Sequence, residues 1–334
     1  MSHLHYRATA LAHSNIALAK YWGKASVEQN LPAVPSLSLT LEGLNSRTTV
    51  AFDAALPEDH VVLDGLELSG RALQRASALL DAIRQLAGLG WHARVDAEND
   101  FPTAAGLASS ASGFAALVVA SAGAAGLALS AGQLSALARQ ASASAARSLF
   151  GGFVALRAGS DAAEPVASAE HWSLSMVVAI VGAGPKATGS TEGMLHTAAT
   201  SPYYAAWVDS APGLFDAVHA AVLNRDLAAL GQSMEQSTLM MHASMLAARP
   251  ALAYLTPSSW AVIEQVYRLR KFGIEAYFTM DAGSHVKVLT ERHTEQKVLE
   301  ALVAVPGVDR VLVCRPGRGA RLLEPDPHES ARTG

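Results

Sequence analysis

The sequence predicts an α+β protein of two lobes with a ligand cleft between them, and three observations support this. Half of the 334 residues are hydrophobic and only 16% are charged, so the chain can bury a large core. Short alternating segments, typical of strands, dominate residues 1–185, whereas helical spacing dominates much of the remainder. We therefore expect a strand-rich N-terminal lobe (1–185), a C-terminal lobe that is helical and then α/β (186–320), and a polar, frayed tail (321–334).

The first lobe begins with strand-like segments and one amphipathic helix. Alternation in SLSLTL (36–41) and in RTTVAF (47–52) predicts two strands, and Asp64-Gly65 predicts a hairpin turn within 61–68. The spacing of leucines and isoleucine from Gly70 to Leu86 predicts a helix. Further strands are predicted over 91–99, 151–159 and 174–182.

Residues 101–138 carry no formal charge and are long enough to span a bilayer. Ala, Gly and Ser dominate this stretch, and its apolar content per residue is weak. We therefore predict two buried, closely packed helices that separate near residues 128–131, rather than a membrane span.

The second lobe is predicted to be helical from Ser190 to about Phe272, with breaks near Pro202, Pro250 and Pro257. Alternating and apolar patterns then predict the remaining elements. These are paired strands over 275–283 and 285–291, a helix over 294–303 and a strand over 308–314.

Charge and cysteine content exclude several classes of protein. The net charge of −4 argues against a nucleic-acid partner, since nucleic-acid-binding domains are normally basic. The single cysteine, Cys314, cannot form an internal disulfide and is typical of a reducing compartment. The N-terminus lacks the apolar region of a secretory signal. We expect a cytoplasmic protein with no nucleic-acid or membrane partner.

The most informative motif is FPTAAGLASSASG (101–113). Small side chains allow another molecule to approach the backbone, and consecutive N–H groups at a helix start bind anions. Ser109, Ser110 and Ser112 add hydroxyl donors. The segment is either a phosphate-binding loop or a small-residue helix start packed against a neighbouring helix.

NIALAKYWGK (15–24) places Lys20 and Lys24 one helical turn apart, or on one face of a strand, with Tyr21 and Trp22 between them. Two cations beside aromatic rings suit an anionic ligand. The alternative is a solvated basic face with two aromatic residues in the core.

SASAARSLFGG (142–152) brings Ser142, Ser144 and Arg147 within six residues. Arginine offers a planar fork for a phosphate or a carboxylate, and the serines offer hydroxyls. The alternative is a helix-capping serine with a surface arginine.

Asp281 ends an apolar strand and is followed by Ala and Gly283. Burial raises the basicity of such a carboxylate unless a lysine or Mg²⁺ compensates. Asp281 is therefore a candidate general base, or a residue that caps the turn before Gly283. In KATGSTEGM (186–194), Lys186 and Ser190 precede a predicted helix and are candidates for ligand contact or for simple capping.

Taken in order, these segments closely resemble mevalonate diphosphate decarboxylase, a family of the GHMP kinase superfamily. The strings that carry the resemblance are NIALAKYWGK, NLPAVPSLSLTL, FPTAAGLASSASGFAAL, SASAARSLFGGF, STEGM and FTMDAG. The resemblance implies a two-lobed GHMP-kinase-like fold with ATP and substrate in the cleft, and a homodimer. It also implies a lyase of isoprenoid biosynthesis that uses ATP and Mg²⁺ to phosphorylate the C3 hydroxyl of mevalonate 5-diphosphate. Loss of phosphate and CO₂ would then yield isopentenyl diphosphate.

The resemblance also implies roles for individual residues. Asp281 is similar to the family's base for the C3 hydroxyl, Lys20 to the lysine beside it, and Arg147 to the ligand of the substrate carboxylate. Arg75, placed by helix register, resembles an arginine that holds the diphosphate. The other implied substrate contacts are Tyr21, Lys24, Ser142, Ser144 and Ser190. The implied ATP contacts are Pro102, Gly106, Leu107, Ala108, Ser109 and Ser110, with Ser110 near the transferred phosphoryl group.

The chain departs from the family pattern at three places. Ala143 and Ala146 replace a Gly and a Cys, and Ser284-His285 replaces Pro-Asn after the aspartate motif. Val34-Pro35 replaces Asn-Ser. The first two departures flank the presumed site and leave open a different substrate.

Three alternative functions stay open. They are a sister decarboxylase of mevalonate 5-phosphate, a mevalonate 3-kinase, and a non-catalytic ATP- or metabolite-binding protein. A monophosphate enzyme would not need both Lys24 and Arg75 at one anionic end. The chain has Asp281, Lys20 and Arg147, to which the resemblance assigns catalytic and substrate-binding roles, and this argues against a non-catalytic protein.

Overall fold

The computed structural model describes residues 6–101, 109–182 and 188–324. The strands are β1 (Arg7–Ala19), β2 (Lys24–Ser26), β3 (Leu31–Pro32), β4 (Ser36–Asp53), β5 (His60–Leu63), β6 (Leu66–Glu67), β7 (His92–Asn99), β8 (Phe153–Leu156), β9 (Glu164–Ala167), β10 (Leu174–Val181), β11 (Ala276–Thr279), β12 (Val286–Glu291), β13 (Val308–Pro316) and β14 (Arg321–Leu322). The helices are α1 (Gly70–Ala87), α2 (Ser109–Ala124), α3 (Ala131–Ala141), α4 (Ala145–Ser148), α5 (Ser190–Thr200), α6 (Tyr204–Asn224), α7 (Leu227–Leu246), α8 (Pro257–Lys271) and α9 (Glu295–Val303). Short 3₁₀ turns lie at Ala169–His171 and Arg292–Thr294.

Twelve of the described strands form one mixed sheet whose main path runs β11-β12-β10-β13-β4-β7-β5-β6, and β2 pairs with β3 in a separate two-stranded sheet. The pairing is antiparallel except between β5 and β7. β4 is the long strand that joins the two halves, because it pairs with β1, β7 and β8 and also with β13. The predicted α+β fold is confirmed.

The two strands predicted over 36–41 and 47–52 are a single strand in the structure, β4. The chain continues through Gly43, whose φ of 102° is open to glycine and not to most other residues. The positive φ at Gly43 does not end β4. The predicted hairpin at Asp64-Gly65 is present between β5 and β6.

The N-terminal half packs α1, α2 and α3 against the sheet. Its core includes Leu80, Ile83, Val95 and Val118, which are almost fully buried. α2 and α3 are the two closely packed helices expected from the uncharged stretch, and α2 is buried along most of its length. Among the described residues, no helix is long and apolar enough to cross a membrane.

The C-terminal half follows the proline breaks that the sequence predicts. α5 ends before Pro202, α7 ends before Pro250, and α8 begins at Pro257. Helices α8 and α9 pack against one side of β10–β12, while α6 and α7 contribute to the core on the other side. β10 is therefore buried along its whole length, as expected from its continuous apolar sequence.

The prediction for Lys20 and Lys24 is wrong in its geometry. The two lysines lie neither on one helical turn nor on one strand, because β1 ends at Ala19 and Lys24 begins β2. The segment between them passes from the interior of the sheet to the surface. One lysine is consequently buried and the other half-buried.

Candidate active site

A cleft of about 600 Å³ lies where the two halves of the sheet meet. It is lined by the segment after β1, the first turns of α1, α2 and α5, the 140–147 segment and the turn after β11. The residues predicted from sequence that line it are Tyr21, Lys24, Arg75, Ser109, Ser110, Ser142, Ser144, Arg147, Ser190 and Asp281. The predicted residues Pro102, Gly106, Leu107 and Ala108 lie outside the described residues, as does Lys186.

Asp281 is held between two lysines at the buried end of the cleft. Lys20 Nζ donates a hydrogen bond of 2.7 Å to Asp281 Oδ1. Lys287 Nζ lies 3.2 Å from Asp281 Oδ2. The side chains of Lys20 and Lys287 are 1% and 0% exposed, whereas that of Asp281 is 28% exposed and faces the cleft. The two buried lysines thus hold the carboxylate on its interior side, and a ligand in the cleft can reach its other side.

The lysines control the protonation of this carboxylate. Burial by itself raises the pKa of Asp281, but the charges of Lys20 and Lys287 outweigh burial and hold the pKa well below its usual range. Burial lowers the pKa of Lys20 to about 8, against the opposing effect of Asp281. At neutral pH Asp281 is therefore ionised, and the Lys20 proton is much more labile than that of an exposed lysine.

Lys287 is a site residue that the sequence does not single out. It stands in VKVL between two valines, which in an isolated strand would place it on the polar face. β12, however, lies between β10 and β11 and is covered on both sides. The sequence signal that could have identified Lys287 is a lysine within an otherwise apolar interior strand.

Arg147 is a third buried cation, 2% exposed, and unlike Lys20 and Lys287 it lines the cleft. Its Nη1 donates a 2.6 Å hydrogen bond to Ser36 Oγ. Its Nε lies 3.0 Å from Ser38 Oγ and 3.2 Å from Asn15 Oδ1. Burial lowers the pKa of Arg147 to about 10. In the described ranges it has only neutral hydrogen-bond partners, so its charge is available to an anionic ligand.

The serines that orient Arg147 are also not identified by sequence reasoning. Ser36 and Ser38 belong to an alternating strand pattern, and alternation indicates only that the serines share one face. The structure shows that this face turns inward toward Arg147 rather than toward solvent.

Ser142 and Ser144 lie beside Arg147 and contact each other, with 3.1 Å between their Oγ atoms. Ser144 stands at the N-cap position of α4 but makes no side-chain capping bond. The buried Tyr21 hydroxyl has no hydrogen-bond partner among the residues that the structure describes. Burial raises the pKa of Tyr21 to about 12, so the neutral phenol is a donor that a ligand acceptor would satisfy.

Three further cations, Lys24, Arg71 and Arg75, line the outer end of the cleft. Lys24 Nζ donates to Asn30 Oδ1 at 2.6 Å. Arg75 donates from Nε and Nη2 to Ala141 O at 3.2 and 2.7 Å. Burial, followed by the charges of Arg75 and Arg71, lowers the pKa of Lys24.

Burial and the charge of Arg71 likewise lower the pKa of Arg75. Within the described part of the chain, none of these three cations pairs with a carboxylate. Their mutual repulsion indicates a site that an anion would stabilise. Arg71 is absent from the sequence predictions, although it lies one helical turn from Arg75.

Ser109 and Ser110 begin α2 at the cleft, but Ser112 does not line it. Ser112 is fully buried, and its Oγ lies 2.7 Å from Ser46 Oγ and 3.1 Å from Ser14 Oγ. The expectation that Ser112 donates to a phosphate is therefore wrong, because helix periodicity turns it toward the sheet.

Some residues that depart from the family pattern line the cleft and others do not. Ala143 lines the cleft, whereas Ser284 and His285 do not. Ser284 Oγ donates to Val181 O at 2.9 Å, and Val181 N–H donates to His285 Nδ1 at 3.2 Å. Ser284 and His285 thus tie the turn after Asp281 to the end of β10.

Over residues 6–101, 109–182 and 188–324, no group of three or more His, Cys, Asp or Glu side chains is placed to hold a metal ion. Asp281 and Glu192 are the carboxylates of the described residues that line the cleft. This part of the chain therefore offers the cleft many donors to anions and no protein cage for a metal.

Two family models match the chain. The diphosphomevalonate decarboxylase-like N-terminal domain matches residues 12–167, and the mevalonate 5-diphosphate decarboxylase C-terminal domain matches residues 176–314. The diphosphomevalonate decarboxylase of Candida albicans is 36% identical over 318 residues, which cover 89% of this chain and 88% of that relative. The Homo sapiens diphosphomevalonate decarboxylase is 34% identical and is aligned over 89% of this chain and 79% of its own.

Solved structures show the same similarity. The chain matches mevalonate diphosphate decarboxylase from Staphylococcus aureus with a TM-score of 0.90 and 37% identity, covering 95% of this chain and 98% of the other. The enzyme from Enterococcus faecalis matches with a TM-score of 0.87 and 40% identity, over 96% and 99% of the two chains. A complex described as MDDEF with MVAPP, AMPPCP and magnesium matches with a TM-score of 0.89 and 41% identity, again over 96% and 99%. The likeness extends over both halves of the sheet that frame the cleft.

Proposed function

The chain belongs to the mevalonate diphosphate decarboxylase family, and from that premise we propose how the groups in its cleft act on the substrate. It is an ATP-dependent decarboxylase of the mevalonate pathway, which converts mevalonate 5-diphosphate to isopentenyl diphosphate. One observation carries the assignment of roles. Asp281 is open to the cleft while both of its oxygens face buried lysines, and Arg147 lines the same cleft.

Asp281 accepts a hydrogen bond from the C3 hydroxyl of the substrate and orients its oxygen toward the γ-phosphorus of ATP. A carboxylate with so low a pKa is a weak base in the ground state. Phosphoryl transfer passes through a loose transition state in which positioning matters more than early deprotonation. As the C3–O–P bond forms and the bond to ADP breaks, the hydroxyl becomes acidic and its proton passes to Asp281.

The new phosphate ester is a good leaving group, unlike the tertiary hydroxyl. Its C–O bond breaks, and the electron pair of the bond between the carboxylate and the substrate chain forms the new C=C bond. Phosphate and CO₂ leave. Arg147, with its guanidinium set by Ser36 and Ser38, holds the substrate carboxylate in the orientation that this step needs. A fixed planar fork is suited to that task.

The diphosphate occupies the outer end of the cleft, where Lys24, Arg71 and Arg75 supply positive charge. Four hydroxyls that line the cleft are assigned to the substrate; they belong to Tyr21, Ser142, Ser144 and Ser190.

ATP phosphates lie near Ser109 and Ser110 of α2, where backbone N–H groups at a helix N-terminus and the helix dipole would favour anions. The lack of a protein metal cage in the described residues suits Mg²⁺ that is held chiefly by phosphate oxygens and water. When bound, Mg²⁺ would neutralise phosphate charge.

The test is a set of assays with purified protein, ATP and Mg²⁺ in which ADP and CO₂ are measured separately. Mevalonate, its 5-phosphate and its 5-diphosphate are supplied in turn. We expect ADP and CO₂ in equal amounts with the 5-diphosphate. ADP without CO₂ would identify a 3-kinase, and a preference for the 5-phosphate would overturn the substrate assignment.

A further inference from the structure

Lys287 occupies a position that chain stability alone does not explain. It lies in the middle of β12, in register with Val178 of β10 and Thr279 of β11, and its side chain is fully buried. Its valine neighbours, Val286 and Val288, are fully buried as well. An apolar residue of similar size at this position would avoid the cost of removing an ammonium group from water.

The charges around Lys287 increase the free-energy cost of burying its ammonium group. Lys287 shares the single carboxylate of Asp281 with Lys20, so this cluster carries two positive charges and one negative. Three other titratable groups act on these residues within the described part of the chain. Arg147 is a cation, while His242 and His285 are neutral, because burial and nearby lysines lower the pKa of each to about 4. Such an arrangement is expensive in the absence of substrate.

The positions of the two lysines indicate what Lys287 does to Asp281. With Lys20 at Oδ1 and Lys287 at Oδ2, the carboxylate cannot rotate about its Cβ–Cγ bond without losing a charged contact. The two lysines come from different strands, since Lys20 follows β1 and Lys287 belongs to β12. The carboxylate plane is thereby fixed relative to both halves of the sheet.

We propose that Lys287 is a positioning residue for the reaction: it holds the second oxygen of Asp281, so that the carboxylate stays ionised and keeps one orientation toward the C3 hydroxyl. This inference rests on the proposed role of Asp281. Lys287 itself does not line the cleft and touches no substrate; it acts through the carboxylate.

The experiment compares the pH profiles of kcat for the wild type and for K287M, which keeps the length of the side chain and removes its charge. The pKa of Asp281 is too low for its own titration to be followed, so the readout is the basic limb, where Lys20 loses its proton. Lys287 lowers the pKa of Lys20, so the basic limb should move upward in K287M. The substrate titrates identically in both assays, and its contribution cancels in the comparison.

K287R is the rescue variant, because it restores the charge. Even if its kcat is reduced by poor fit, its basic limb should lie nearer that of the wild type than that of K287M. R84M is the matched control, since Arg84 also belongs to a buried ion pair, with Asp59, but lies on α1 away from the cleft. R84M should lower stability without moving the basic limb.

A purely structural role would lower kcat of K287M at every pH without moving the basic limb, and that result would overturn the inference. D281N separates this failure from failure of the proposed function. If D281N is inactive while the basic limb of K287M is unmoved, only the role of Lys287 is wrong. If D281N keeps wild-type turnover, the role of Asp281 is wrong. Should K287M not fold, K287Q is tested in the same way.

Discussion

The two ends of the cleft hold their cations in opposite ways. At the reacting end, Lys20, Lys287 and Arg147 are at most 2% exposed, and each has a fixed partner in the protein. At the outer end, Lys24 and Arg75 are half-buried, and their partners among the described residues are a side-chain amide and a backbone carbonyl. The reacting end is thus preorganised before substrate arrives, whereas the outer end is electrostatically incomplete without an anion.

The contrast reflects two different tasks. Bond making needs donors and acceptors fixed to fractions of an ångström, and burial among packed strands provides this rigidity. Binding a mobile diphosphate needs charge and reach, which long, partly exposed side chains provide. Substitutions at the reacting end should therefore affect kcat, and those at the outer end should affect substrate affinity and choice.

The largest effect is expected at Asp281. Asp281→Asn keeps the shape but removes the acceptor for the hydroxyl proton, so kcat should fall by about 10²–10⁴. Nucleotide binding, measured by calorimetry, should be unchanged because Asp281 is assigned to the other substrate. Wild-type turnover in this variant would show that the reacting end is not where the chemistry takes place.

Arg147→Lys tests whether the planar fork is required at the reacting end. The KM for the phosphorylated mevalonate should rise, or kcat fall, by about ten- to a hundredfold, the value of a charge-assisted hydrogen bond. The KM for ATP should change little. An equal loss of ATP affinity would instead assign Arg147 to the nucleotide.

Arg75→Met tests the outer end through substrate choice. The wild type should prefer the 5-diphosphate over the 5-monophosphate by at least about tenfold in kcat/KM, because the diphosphate carries more charge for the cations to bind. Removing Arg75 should shrink that ratio and leave kcat nearly unchanged. Arg268→Met, which alters an exposed arginine of α8 outside the cleft, serves as the control and should leave the ratio intact. An unaltered ratio in both variants would remove Arg75 from substrate selection.

The smallest effect is a pH dependence at the reacting end. With a pKa of about 8, Lys20 begins to lose its proton just above neutral pH, and kcat should then decline as the support of Asp281 weakens. Lys20→Arg, which keeps its charge to higher pH, should move that decline upward. A decline at the same pH in both proteins would mean that another group titrates.

Local sequence predicts the elements well where its signals are short-range. The proline breaks between helices, the Asp64-Gly65 hairpin and the buried strand β10 all depend on the chemistry of a few adjacent residues. The prediction of two strands in place of β4 is wrong, because the strand continues through Gly43, which takes a positive φ within it.

In the cleft, too, residues that belong to distinctive local motifs are predicted and the others are not. Asp281, Lys20 and Arg147 can be identified because each belongs to a distinctive string of residues, and the structure brings Lys20 and Asp281 to 2.7 Å across 261 positions of sequence. Lys287 and Arg71 belong to none of the distinctive strings, and the serines of β4 lie in one whose alternation indicates only that they share a face. Ser112 is predicted to donate to a phosphate because hydroxyls look alike in sequence, yet it faces the sheet.

Residue types, the order of the elements and the motifs of the family can all be read from the chain alone, since these depend on neighbours in sequence. Which polar residues are buried is a property of the tertiary structure, because burial depends on what covers each face of a strand. Lys287 shows the reason most clearly. Its alternating pattern is that of a half-exposed strand, and only packing on both sides of β12 turns it into a fully buried cation on the reacting carboxylate.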